Sequence, residues 1–174
     1  MNAKKLALLS VLTALSVITF MLENLFPPIF VPGAKLGLGN VFVLIALIYL
    51  GFGSALIMVV AKCLITAIFV GFSALAYSLP SGLISVTLSF LLLRCANNVS
   101  IVATASASAT VHNLVQNAVF ALITQTPKVL LYAPYLALLG AICGTLTGLA
   151  TCLTVNTTSS YLSKKAELKK SQED

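Results

Sequence analysis

Long apolar runs separated by short polar or glycine-containing breaks dominate the chain. Runs without a charged residue cover positions 6–22, 41–61, 63–93, 95–127 and 129–163. A helix that crosses a membrane needs about 20 consecutive, mainly apolar residues, and each run approaches or exceeds that length. The pattern therefore predicts membrane-spanning helices rather than the half-polar helices of a soluble domain.

Two glycine-containing breaks divide the longer runs. The stretches GFG at 51–53 and GFS at 71–73 interrupt apolar sequence, and glycine at such a position suits a tight turn between helices. The resulting spans are about 5–26, 36–50, 54–71, 74–94, 98–124 and 129–157. We expect an all-α integral membrane protein, a bundle of about six transmembrane helices. Residues 1–160 would form a single transmembrane domain, and residues 161–174 a basic cytoplasmic tail.

Composition and the placement of charge agree with this prediction. The chain is 59% hydrophobic and 8% charged, whereas soluble domains carry about 25% charged residues. The net charge of +6 comes mainly from the chain ends, where the positive-inside rule places cytoplasmic segments. The basic residues assigned to the cytoplasmic side are Lys4, Lys5, Arg94, Lys164, Lys165, Lys169 and Lys170. We expect a multi-pass protein of the cytoplasmic membrane with both termini in the cytoplasm, surrounded by lipid, and no nucleic-acid partner.

Polar groups inside the predicted spans are candidate functional residues. Lys62 lies mid-span, and a lysine at the bilayer centre costs roughly 2.5–3.5 kcal/mol on insertion scales. We expect it to face the bundle interior, although a shifted span would let it reach an interface. The fifth span contains HNLVQN, in which His112, Asn113, Gln116 and Asn117 share one helical face. This face lines either a cavity or a polar contact between helices.

The segment PGAKLGLGN at 32–40 joins the first two spans. Its proline and glycines suit a turn. A turn does not require Lys35, which is isolated from the terminal lysines, or Asn40, which lies near the start of the second span. Together with Glu23 at the end of the first span, these residues indicate a polar mouth, and we interpret the segment as a lid close to a ligand.

Small residues recur at helical spacing in three spans. In spans five and six, ATASASAT at 103–110 and the glycine stripe Gly140, Gly144 and Gly148 favour close packing within the bundle. The first span carries a further set on one face, Ala3, Ala7, Ser10 and Ala14. That face either packs internally or docks a separate membrane subunit.

The residues that metal-dependent catalysis requires are scarce. Glu23 is the one acidic residue before position 167, whereas Mg²⁺-dependent prenyl or phosphoryl transfer uses clustered carboxylates. The four cysteines form no CxxC pair, which is typical of buried free thiols. We expect no catalytic residue, metal site or cofactor in this chain.

Three stretches resemble a known family. PGAKLGLGN, SLPSGLIS at 78–85 and HNLVQN look like the small membrane proteins called heptaprenyl diphosphate synthase component I, a family also named Gx transporter. The resemblance covers nearly the whole chain, and KLGLGN is its most specific part. Pro80-Ser81 depart from the small residues expected there. The family is similar to the substrate-binding S components of energy-coupling factor (ECF) vitamin transporters, which implies an S-component-like six-helix bundle with a substrate site near the outer face.

The resemblance also implies roles for particular residues. Lys35 and Asn40 would contact the substrate from the loop. The implied pocket residues are Lys62, His112, Asn113 and Gln116. The small-residue face of the first span, Ala3, Ala7, Ser10 and Ala14, would dock a transmembrane coupling subunit.

Two functions follow from the resemblance. The first is a substrate-binding transporter subunit that captures a small anionic solute at the outer face for ATP-driven uptake by a coupling subunit and ATPases. The alternative is a non-catalytic membrane component of a soluble heptaprenyl diphosphate synthase, which makes quinone side chains. Composition and the intramembrane polar cluster favour the first. A purely structural helix-packing protein is a third interpretation, and the solute stays open among flavin-like, vitamin-like and prenyl diphosphate ligands.

Overall fold

The structure, a computed structural model, describes residues 2–25, 37–95 and 99–170. These residues form six α-helices and one short 3-10 helix. Their bounds are α1 Ala3–Leu25, α2 Asn40–Leu50, α3 Phe52–Val70, α4 Phe72–Cys95, α5 Ile101–Ile123, the 3-10 helix Pro127–Tyr132 and α6 Ala133–Lys170. The predicted all-α bundle of about six helices is confirmed, and α6 continues beyond the end predicted for the last span.

The helices differ in their capacity to cross a membrane. The segments long and apolar enough to do so are Ala3–Glu23, Phe52–Val70, Phe72–Cys95 and Pro127–Ser160. The 11 residues of α2 rise only about 16 Å, about half of the roughly 30 Å hydrocarbon core. The 23 residues of α5 are long enough, but this helix carries many hydroxyl and amide side chains and is not among these segments.

Glycine ends two helices at the predicted breaks. Gly51 separates α2 from α3 with φ of 84°, and Gly71 separates α3 from α4 with φ of 107°. Side chains other than glycine rarely adopt such angles because the β-carbon meets the backbone. Both predicted helix–helix turns are therefore confirmed, and each has a steric reason for its glycine.

The glycine stripe of α6 packs directly on α5. A β-carbon added at Gly140, Gly144 or Gly148 would come within 2.7 Å of a backbone atom of α5. The Ser106 hydroxyl also donates a hydrogen bond to the Ala141 carbonyl at 3.1 Å. Small residues allow two membrane helices to approach closely enough for extensive van der Waals contact. Internal packing is thus the role of the small residues in both helices.

The interior and the lipid-facing surface separate clearly. Ala46 of α2 and both Ala55 and Met58 of α3 are fully buried, so the short α2 lies inside the bundle. Large apolar side chains such as Ile68 and Phe69 are 73% and 62% exposed. In a bilayer these side chains face lipid tails, which are as apolar as the protein surface.

Candidate functional site

A cavity lies inside the bundle, and all six helices contribute to its wall. The cavity has a volume of about 90 Å³. That volume is several times the roughly 10–15 Å³ that a cavity needs to hold one water molecule. Cavities that combine apolar walls with a few polar groups are the usual binding sites for small molecules, so this cavity is the candidate site.

Lys62 of α3 directs its ammonium group into this cavity. Its Nζ donates a hydrogen bond to Asn40 Oδ1 at 3.3 Å and lies 5.9 Å from the centroid of the Phe20 ring, within cation–π range. A β-carbon at Gly39 would lie 3.0 Å from the same Nζ, so glycine at this position leaves room for the ammonium. Lys62 therefore faces the bundle interior, as its insertion cost predicts.

The carboxylate of Glu23 holds the backbone that leads into α2. It accepts hydrogen bonds from the Gly37 N–H at 3.2 Å and from the Leu38 N–H. A negative charge at this position also interacts favourably with the N-terminal end of the α2 dipole. Glu23 and Lys62 both line the cavity, yet no contact within 4.0 Å pairs them in the described part of the chain. The ammonium of Lys62 is therefore available to a bound anion.

Replacing Glu23 by alanine should lower the free energy of unfolding by about 1.5–3 kcal/mol, the usual contribution of a hydrogen bond to a charged group. Glu23→Gln, which keeps an acceptor oxygen but loses the charge, should fall between the wild type and Glu23→Ala. Helix content followed during SDS titration measures both. Ser10→Ala is the control, because exposed Ser10 bonds only to the Leu6 carbonyl of its own helix. Equal stability of Glu23→Ala and Ser10→Ala would show that these bonds stabilise nothing.

The polar face of α5 divides between the cavity and helix packing. His112, Asn113 and Gln116 line the cavity, as the family resemblance implies. Asn117 is buried and donates from Nδ2 to the Val129 carbonyl of the 3-10 helix at 3.2 Å. Asn113 lines the cavity and also takes part in helix packing, since its Nδ2 donates a hydrogen bond to the Leu136 carbonyl of α6 at 3.2 Å. The sequence left open whether this face lines a cavity or makes a polar contact between helices, and in the structure it does both.

A stripe on α4 was missed by sequence reasoning. Ser78, Gly82, Ser85 and Ser89 all line the cavity. Their spacing of four, three and four residues places them on one helical face. The spacing of these small residues in the sequence is the signal that indicates a common face of α4, next to the face that carries Pro80 and Ser81.

The cavity is elongated along the bundle. Its lining spans Ser78–Ser89 on α4 and Ala105–Gln116 on α5, about eleven residue steps in each helix, or about 16 Å. The Ser85 hydroxyl donates to the Ser108 carbonyl at 3.1 Å, which fixes the middle of the two antiparallel helices at the same level. Ser78 and Gln116 are therefore at one end of the cavity, and Ser89 and Ala105 at the other.

The two ends differ in chemistry. A β-carbon at Gly82 of α4 would lie 2.8 Å from Val59 Cγ1 of α3. Lys62, about one turn further along α3, is thus level with Ser78. We call the first end the charged end, defined by Glu23, Asn40, Lys62, Ser78 and Gln116. We call the opposite end the shaft, defined by Ser85, Val86, Ser89, Ala105, Ser108 and Thr147.

The remaining predicted residues lie elsewhere. Lys35 is outside the described residues. The four small residues predicted to form a docking face on α1 are all exposed: Ala3, Ala7, Ser10 and Ala14. Leu9, Leu12 and Ser16 of the same helix are buried, so the exposed set does not pack within the bundle, and docking of another subunit there stays a prediction.

The thiol groups of Cys63 and Cys143 also line the cavity. In the described part of the chain, no three histidine, cysteine, aspartate or glutamate side chains are grouped to hold a metal ion. The cavity therefore presents a lysine, a carboxylate, an imidazole, amides and hydroxyl groups as its recognition chemistry.

Comparison with known proteins gives one match. The family model described as heptaprenyl diphosphate synthase component I matches residues 12–154, a range that includes every residue lining the cavity. Searches of curated proteins and of solved structures gave no significant match.

Proposed function

Because the chain belongs to the heptaprenyl diphosphate synthase component I family, we propose that it is the non-catalytic membrane component of a heptaprenyl diphosphate synthase system. The family match over residues 12–154 carries this proposal. Prenyl transfer with Mg²⁺ needs clustered carboxylates, and in this proposal a soluble partner subunit supplies them.

The membrane cavity is the proposed contribution of this chain. Lys62 supplies a positive charge at membrane depth, where ionisable residues usually mark a substrate or ion site. Asn40, His112 and Gln116 line the same cavity and supply hydrogen-bonding groups around a small anionic ligand. Asn113 completes this set, although its Nδ2 also holds α6.

A second candidate function is the solute-binding subunit of an ATP-driven transporter. The lysine-containing cavity and the exposed small-residue face of α1 favour it, because a solute site and a flat helix face are what such a subunit needs. In this function the N- and C-termini are cytoplasmic, the charged end opens outward, and Ala7 and Ala14 contact a transmembrane coupling subunit.

Purification of the tagged chain in mild detergent from its own cells should distinguish the two functions. The proposed function predicts that a soluble, aspartate-rich prenyl diphosphate synthase co-purifies and that adding this chain changes the length of the synthase product. Retention of a coupling subunit and ATPases, lost in Ala7→Leu, would favour the transporter instead. A preparation that retains no synthase and leaves the product length unchanged would contradict the proposed function. Gly53→Leu is the control, because it introduces leucine where a β-carbon meets nothing within 4 Å.

A further inference from the structure

The hydroxyl groups of the shaft are already bonded to helix carbonyls. Ser85 Oγ donates to the Ser108 carbonyl at 3.1 Å, and Ser89 Oγ donates to the Ser85 carbonyl at 3.0 Å. Thr147 Oγ1 donates to the Gly144 carbonyl at 2.9 Å. Polar groups that are satisfied internally need no partner from a ligand. The shaft can therefore accept an apolar chain without leaving a buried donor unpaired.

The charged end has the opposite character. In the described part of the chain, the Gln116 amide and the Ser78 hydroxyl donate no hydrogen bond to protein. The Lys62 ammonium has three donor hydrogens, and its one described hydrogen bond is to Asn40. Donors in a partly buried site need acceptors, so this end is built for a ligand group with several acceptor oxygens.

The dimensions of the cavity restrict the ligand further. A cavity volume of about 90 Å³, spread over a length of about 16 Å, corresponds to a passage that is narrow on average. An extended hydrocarbon chain fits such a passage, whereas a fused ring system needs more width. The shape therefore disfavours a flavin-like ligand in this conformation of the bundle.

The charges limit the head group. Among the described residues of the cavity wall, Lys62 is the permanent cation, and the Glu23 carboxylate lies on the same wall. Because the negative charge of Glu23 already offsets part of the positive charge of Lys62, the site favours a ligand with at most one negative charge. A diphosphate would bring further charges into a membrane-embedded site, where each unpaired charge is costly to desolvate.

We infer that the ligand is a slender amphiphile with a single negative charge, whose carboxylate binds at Lys62 and whose unbranched hydrocarbon chain lies in the shaft. This inference rests on the ligand-binding part of the proposed function and names its ligand class. A prenyl diphosphate is then not the ligand of this cavity, whichever partner the chain assembles with.

Native mass spectrometry of the purified protein with decanoate, butyrate, decanol and geranyl diphosphate tests the inference. We expect decanoate to be retained and its binding to be weaker by about 30-fold or more in Lys62→Met, with little retention of decanol or geranyl diphosphate. Ser89→Leu places a larger side chain in the buried deep end of the shaft. This variant should bind decanoate at least tenfold more weakly than the wild type. The same variant should bind butyrate within about twofold of the wild type, which also shows that it is folded.

Three results would overturn the inference. They are retention of geranyl diphosphate at least as strong as that of decanoate, equal decanoate binding by wild type and Lys62→Met, and unchanged decanoate binding by Ser89→Leu. Retention of butyrate without any preference for decanoate would reject the amphiphile but leave the proposed anion-binding function intact. Decanoate binding without synthase co-purification would support the ligand class and reject the proposed partner.

Discussion

Lys62→Met should weaken binding of an anionic ligand by about 30-fold or more, the effect of about 2 kcal/mol or more that follows when one partner of a buried charge pair is removed. Methionine keeps the length of the side chain and most of its apolar stem. The loss therefore reports the charge and the hydrogen bonds of the ammonium rather than the packing. Titration of decanoate or butyrate, followed by native mass spectrometry, measures the change.

Lys128→Met is the matched control for this prediction. It lowers the net charge by the same amount, but Lys128 is exposed in the 3-10 helix and is not part of the cavity wall. Its affinity should stay within about twofold of the wild type because exposed charges are screened by solvent and salt. If both variants bind as the wild type does, Lys62 is not the partner of the anion.

The stability of Lys62→Met separates loss of binding from loss of fold. A lysine inside a membrane protein carries a desolvation penalty, and its replacement by an apolar residue of similar volume is often neutral or stabilising. We expect the ligand-free variant to be at least as stable as the wild type in SDS titration. A variant that is both less stable and unable to bind would instead indicate a structural role through Asn40.

Gly144→Leu should destabilise the bundle by about 3 kcal/mol or more, at the upper end of the range for overpacking. A β-carbon at Gly144 would lie 2.7 Å from both the Ala105 carbonyl oxygen and Ser106 Cα. These are backbone atoms of a packed helix, so they cannot move aside as a flexible side chain would. The whole of α5 must shift away from α6 to accommodate leucine.

Gly53→Leu makes the same chemical change at a site without neighbours. A β-carbon at Gly53 would meet nothing within 4 Å, and leucine is a better helix former than glycine. The control should therefore be as stable as the wild type or more stable. Free energies of unfolding from SDS titration, with helix content as the signal, test both variants. Equal stability of the two would mean that the glycine stripe does not hold α5 to α6.

Several features of this protein follow from the sequence without any knowledge of its neighbours. Membrane helices are apolar over a length set by the bilayer, so the runs between Gly51, Gly71 and the other breaks predict helices. The two glycines adopt positive φ, a local property of the chain. Lys62 is expected to face the protein interior because a charged side chain in contact with lipid is energetically costly.

Tertiary structure decided the rest, because helical periodicity gives a face but not what lies opposite it. His112 and Asn117 share one side of α5, yet one lines the cavity and the other bonds to Val129. The Glu23 carboxylate reaches the amides before α2 only because the chain returns beside the end of α1. The narrow shaft likewise exists only where the small residues of α4, α5 and α6 face a common space, and the sequence lists those residues without showing that they meet.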